Sequence, residues 1–298
     1  MGKRFTPKLL ARFAREHRGE GTYADYIPYH RVARNDPSSS GRSNLLMFRE
    51  RLREFLSDGE LGQQYFAAML PWLDDCVEQF KLTLEPSVHP LAAYGERDIF
   101  THYPGTLALA AELRMKHPWT YGDGQNAPWK MSTDLVLVFR RRALPRVMLA
   151  LAFKTAQWSS DERTIALLQL EREYWLRRGV RWLLITPEVY DKKVALTMER
   201  TAAWALTDPV TEGQRAVATQ LGLRLGGYSL QEVLEEIEQK LGSMEVAQLA
   251  LWQSVWRGEL PVDLRRGWRP HLPLAIMSSE SFWELNPVAS MRSAWTAS

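Results

Sequence analysis

The sequence predicts an α/β fold: a mixed sheet that carries the chemistry, followed by a small helical domain. Three observations predict it. Two short apolar runs, residues 131–138 and 149–154, flank a basic, turn-like stretch, Arg140-Arg141-Arg142-Ala143-Leu144-Pro145-Arg146, and so read as an antiparallel hairpin. A helix-period stretch, residues 164–178, is stopped by Gly179 and followed by an apolar strand at 180–186, of the kind buried on both faces. Beyond about residue 205 strand signals vanish and helices follow one another.

Each element has a local reason. Residues 1–22 form a basic amphipathic arm ending in a Gly19-Glu20-Gly21 turn, and 37–43 (Pro-Ser-Ser-Ser-Gly-Arg-Ser) read as a hydroxyl-rich loop able to hold a phosphate. Ser57-Asp58-Gly59-Glu60 is a capping-box signature that opens a helix with an apolar stripe through Leu61, Tyr65, Phe66, Met69 and Leu70. Residues 76–85 are extended, and 107–113 form a short apolar piece ended by Lys116-His117-Pro118-Trp119. Asp161-Glu162-Arg163 starts the helix of 164–178. In the last third, helices are predicted at 229–241, capped by Ser229 and closed by Gly242, and at 246–256. The turn at 257–263 leads into a third element or wing, so this part reads as winged-helix-like. The resulting division is 1–204 catalytic with its basic arm, 205–275 helical, and 276–298 a tail anchored by Trp283 and Trp295.

Composition narrows the class. At 298 residues, 45% hydrophobic and 24% charged, the chain can build a sizeable core. No apolar run reaches the roughly 18 residues of a membrane span, and the basic N-terminus lacks a signal peptide's apolar stretch. Its Met-Gly-x-x-x-Thr start matches a myristoylation pattern, read here as chance. The single cysteine, Cys76, excludes an intrachain disulfide and a multi-cysteine zinc site, which fits a reducing cytoplasm. Net charge is only +3, but residues 1–55 hold twelve Lys/Arg against six Asp/Glu. Arg42, Arg140, Arg141 and Arg142 are candidate phosphate contacts, the last three expected beside the site below.

That site is an acid on one strand, Asp134, and a lysine on the next, Lys154. Among apolar neighbours both are costly to bury unless a metal ion or a phosphate compensates. An acid, a spacer and then x-x-Lys on adjacent strands is the skeleton of restriction-endonuclease-like nucleases, although a surface ion pair would give the same spacing. The six histidines have no metal-ligand spacing; His117 is a candidate for the approach to the site, and Trp252 with Trp256 is at core spacing.

Further stretches add specificity: Asp25-Tyr26-Ile27-Pro28, residues 37–43, Leu56-Ser57-Asp58-Gly59-Glu60-Leu61, Glu78-Gln79-Phe80, Lys116-His117-Pro118, Met131-Ser132-Thr133-Asp134, Asp161-Glu162-Arg163-Thr164 and Leu170-Glu171-Arg172-Glu173-Tyr174-Trp175. Together, in this order, they resemble the TnsA family, the endonuclease subunit of Tn-seven-type heteromeric transposases. The resemblance covers residues 18 to about 190; the last third resembles the family only in size and helical character. It implies a restriction-endonuclease-like domain with a C-terminal helical domain, cutting the 5′ strand at transposon ends. An integrase-like transposase subunit would cut and join the 3′ strand, and an AAA+ ATPase regulator would dock on the C-terminal region. It implies Glu60 and Asp134 as ligands of Mg²⁺ (Mn²⁺ substituting), with two ions per site and Lys154 as the catalytic lysine. The backbone carbonyl of Phe153, and that of Ala152, are further oxygen donors, and Glu171 matches an acidic position near the site. Where the family has Gln-x-Lys, this chain has Ala152-Phe153-Lys154. An impaired subunit that binds DNA ends and bridges partners is therefore the alternative.

Overall fold

A computed structural model describes residues 5–34, 36, 42–96 and 100–295. The chain divides into two compact units, one comprising 1–63, 72–186 and 295–298, the other 64–71 and 187–294. Most of the predicted loop at 37–43 and the first four residues lie outside the described residues.

The first unit opens with α1 (Pro7–Arg15), where Thr6 caps the Leu9 N–H and Pro7 occupies the first turn, a position that needs no N–H. A hairpin follows, β1 (Asn44–Phe48) with β2 (Arg51–Phe55), then α2 (Asp58–Ala68), which belongs to the second unit from Gln64 on, and β3 (Leu73–Lys81). Small elements come next: β4 (Ser87–Val88), β5 (His102–Tyr103), α3 (Thr106–Glu112), and the hairpin β6 (Trp119–Gly122) with β7 (Gln125–Pro128). The centre is β8 (Ser132–Phe139) and β9 (Val147–Phe153), joined through α4 (Glu162–Arg177) to β10 (Arg181–Ile185).

These four longer strands form a mixed sheet in the order β10-β9-β8-β3. β8 pairs antiparallel with both β9 and β3, and β10 lies parallel to β9, as a crossover helix allows. Val136, Leu137, Val138, Ala150, Leu151, Leu184 and Ile185 are fully buried, the near-continuous apolar runs that a sheet covered on both faces requires. Trp295 returns to this unit and stacks on Trp158 (ring centroids 5.5 Å apart) with its edge toward Trp182 (5.8 Å).

The second unit is helical: α5 (Lys192–Ala205), α6 (Glu212–Arg224), α7 (Leu230–Leu241), α8 (Met244–Trp256) and α9 (Ser279–Glu284). Capping boxes start α6 at Thr211 and α7 at Ser229, and Gly242 ends α7 in the left-handed conformation. α8 is the hub, with α5, α6 and α7 packed around it. Trp252 and Trp256 are core residues, their indole N–H groups held by Gln248 and Thr201. α5 therefore belongs with the helices after it, and the division falls at Thr186/Pro187 rather than near residue 205. Where a wing would place a β-ladder, the described residues have isolated bridges, Ser229 to Pro273 and Val262 to Ile276. The segment after 275 includes α9 and packs on the elements before it. Asn286 donates to the Phe66 carbonyl (2.8 Å), and Trp283 covers Gly258, whose positive φ and lack of a Cβ that contact requires.

Candidate active site

The register of β8 and β9 pairs Leu135 with Leu151, so Asp134 lies at the open end of the hairpin beside the end of β9. The Phe153 N–H donates to Asp134 Oδ2 (2.7 Å), and Lys154 Nζ stands 3.7 Å from the same oxygen. Lys154 leaves β9 with its own N–H on the Ile185 carbonyl (3.1 Å) and gives its ammonium to the Phe153 carbonyl (2.8 Å). Burial disfavours that charge, but Asp134, Glu171 and Glu60 outweigh it and hold the lysine above its usual range.

Glu60 reaches the site because of how α2 begins. Ser57 and Glu60 cap each other as the sequence signature predicts: the Glu60 N–H donates to Ser57 Oγ and the hydroxyl donates back to Glu60 Oε1 (both 3.2 Å). The Leu56 N–H (2.9 Å) and the Gln79 amide (3.1 Å) donate to Glu60 Oε2. Capping and site membership are thus one arrangement. Gly59 is required next to it, since any Cβ there would run into the Phe153 ring. Burial first, and then the Asp134 charge, push the Glu60 carboxyl up to about 7.

Glu171 comes from α4 and is buried. Its Oε1 accepts the Thr133 hydroxyl (2.8 Å) and the Trp182 indole N–H (3.2 Å), while Thr133 accepts from Trp175 (2.8 Å). Burial, then Asp134, raise this carboxyl too to about 7, with Lys154 pulling it back. Sequence reasoning missed Gln79, Thr133 and Trp182 as parts of the site. The signal for the first two was their place inside Glu78-Gln79-Phe80 and Met131-Ser132-Thr133-Asp134; Trp182 had none.

The structure brings Glu60, Asp134, Lys154, Phe153 and Glu171 into one electrostatic neighbourhood. It does not bring the arginines. Arg140, Arg141 and Arg142 are exposed at the closed end of the hairpin, six residues or about 20 Å along β8 from Asp134. The expectation that they cluster beside the site is corrected: adjacency in sequence to a strand says nothing about which end of it. Arg141 instead covers the Trp72 ring at 4.4 Å, and Arg146 is held by Asp74 and Glu96. Arg42 pairs with Asp58 (3.0 Å) on the surface. His117 is structural, with one ring nitrogen on the Pro118 carbonyl and the other on Thr106, and burial lowers its pKa. Ala152 is fully buried opposite Leu184 and offers no side-chain ligand.

Among the described residues no three His, Cys, Asp or Glu side chains converge closely enough to form a ready-made metal cage. Glu60 and Asp134, with the Phe153 carbonyl, are nevertheless oxygen donors of the type a hard divalent cation takes. Three carboxyls, those of Glu60, Asp134 and Glu171, face one ammonium. Ionised together they leave an excess of negative charge.

A carboxylate pair and a lysine at the open end of a mixed sheet define the site chemically. The chain is TnsA-like: it is 29% identical over 219 residues to the Transposon Tn7 transposition protein TnsA of Escherichia coli, covering 73% of this chain and 69% of that protein. No family model matches the chain.

Proposed function

We propose that this protein is a metal-dependent DNA endonuclease subunit of a heteromeric transposase, hydrolysing the 5′ strand at transposon ends. The observation that carries the reading is the Asp134–Lys154 pair at 3.7 Å, with Glu60 delivered by the start of α2, in a TnsA-like chain. Glu60 and Asp134 would hold Mg²⁺ or Mn²⁺, and their oxygen-only donor chemistry fits such ions. The excess of carboxyls over ammonium also favours a cation there. When bound, the ion supplies a more acidic water and screens the charge that builds at phosphorus.

The protein's own groups do the rest. Lys154 is held charged, so it acts as a hydrogen-bond donor that orients the attacking water or the scissile phosphate, not as the base. Glu171, tied down by Thr133 and Trp182, keeps that ammonium in place. The exposed basic residues, Arg42 and Arg140 to Arg142, are assigned to the DNA backbone, the last three away from the reacting phosphate. The double-stranded ends would be selected by an integrase-like subunit, and the helical unit would dock an AAA+ regulator. No helix among the described residues is long and apolar enough to cross a membrane. A subunit acting on transposon ends in this way would work in the bacterial cytoplasm.

The test is cleavage of end-containing duplexes by the reconstituted complex in Mg²⁺, comparing wild type with Glu60→Ala, Asp134→Ala and Lys154→Ala. Each variant should stay folded and lose 5′-strand cutting, so that transposition yields cointegrates in place of simple insertions. Two folded variants that cut like wild type would refute the site. A wild-type chain that binds ends without cutting would support the non-catalytic assembly subunit, for which the buried Ala152 methyl is the structural argument.

A further inference from the structure

Gln79 has φ of +50° in the interior of β3, a backbone region that non-glycine residues seldom occupy. Gln79 itself has no partner in the ladder, but the register is the same on either side of it. Glu78 pairs with Leu135 and Phe80 with Thr133, which puts Gln79 across from Asp134. Such strain persists only where the surroundings hold it. Here the Gln79 carbonyl accepts from the Tyr29 N–H and the Tyr26 hydroxyl, both at 3.2 Å.

What the strained backbone delivers is the side chain. It is 2% exposed, and its amide spans two elements: Nε2 donates to Glu60 Oε2 and Oε1 accepts from Ser132 Oγ, both at 3.1 Å. Ser132 lies on the Asp134 strand, and its hydroxyl fixes which end of the amide faces the carboxylate. The other bonds to Glu60, from Leu56 and Ser57, anchor it to the start of its own helix. Among the described residues, the Gln79 bond is what ties that carboxylate to the sheet.

We propose that Gln79 is a positioning residue, held in a strained conformation so that its amide sets the Glu60 carboxylate against Asp134 for cation binding. The proposal rests on the metal-dependent reading above. It is tested on the full chain by Mn²⁺ titration followed by electron paramagnetic resonance, with thermal melting alongside. The variants are Gln79→Gly, which suits the positive φ but lacks the amide, Gln79→Met, which keeps bulk, and Ser132→Ala, which frees the amide to turn. Loss of a hydrogen bond to a charged group predicts about tenfold weaker Mn²⁺ binding for both Gln79 variants and a smaller loss for Ser132→Ala. A merely space-filling side chain would alter melting and leave the affinity of the folded protein unchanged. Wild-type affinity in the folded Gln79 variants overturns the proposal; should neither fold, wild-type affinity in Ser132→Ala does so. If Asp134→Ala binds Mn²⁺ as wild type does, the metal reading itself falls and this inference with it.

Discussion

Replacing Glu171 by Gln should stabilise the metal-free protein at alkaline pH. Glu171 is 5% exposed, and its Oε1 receives the Thr133 hydroxyl and the Trp182 N–H; a glutamine carbonyl can accept both. Only the charge is removed. In the folded chain this carboxyl titrates near about 7, against 4.5 for the unperturbed group, because burial and then Asp134 disfavour ionisation. Between those values the folded chain keeps a proton the unfolded chain has lost, so stability falls as pH rises through the window. The difference, 7 minus 4.5, is about 2.5 pH units, or on the order of 3 kcal/mol when fully developed. Lys154 loses one carboxylate partner in the variant, which trims the expected gain to about 1–3 kcal/mol above pH ~7 and nearly nothing at pH ~4.5. In a unit of this size each kcal/mol moves Tm by roughly 2–4 °C. Thermal unfolding by circular dichroism, in chelator, at the two pH extremes measures it. A variant less stable than wild type at alkaline pH, or a difference that ignores pH, would refute the reasoning.

Two other perturbations test the scaffold. Gly59→Ala places a methyl against the Phe153 ring; either α2 shifts or β9 gives way, costing about 1–3 kcal/mol and displacing Glu60, to be read as a lowered Tm and, on the proposed function, a loss of Mg²⁺-dependent cleavage. His30, stacked on Trp129 at 5.6 Å, is lowered to about 4 by burial first and foremost, against 6.5 for a free imidazole. The unfolded chain therefore binds the extra proton between those values, and wild type should lose about 1–2 kcal/mol relative to His30→Phe as pH falls from ~6.5 to ~5, measured by urea unfolding at each pH.

The parts of the site legible in sequence were those written in local code. The hairpin announced itself through two apolar runs and a turn between them, so Asp134 and Lys154 could be placed on neighbouring strands. Ser57 and Glu60 announced a helix start, though not that the same carboxylate would face the sheet. The β1–β2 hairpin was illegible because its buried positions are charged: Arg51 and Arg53 lie under the surface against Glu78 and Asp75, which erases the apolar alternation that marks a strand. Gln79 was illegible for a different reason. Its positive φ is imposed by tertiary bonds to its carbonyl and not by a glycine or asparagine that a reader could spot.

That contrast bears on function. Three carboxyls around one ammonium weaken the fold, since two of them are driven up to about 7, and the strained Gln79 backbone adds to the cost. A structural core would replace such groups with apolar side chains of similar volume at no loss of stability. Here each is instead fixed by named donors: Leu56, Ser57 and Gln79 on Glu60, the Phe153 N–H on Asp134, and Thr133 and Trp182 on Glu171. Orienting carboxylates at a cost to stability suits the cation and phosphate site proposed above. The donors on each carboxylate, more than the acid–lysine spacing itself, are what the proposed site rests on.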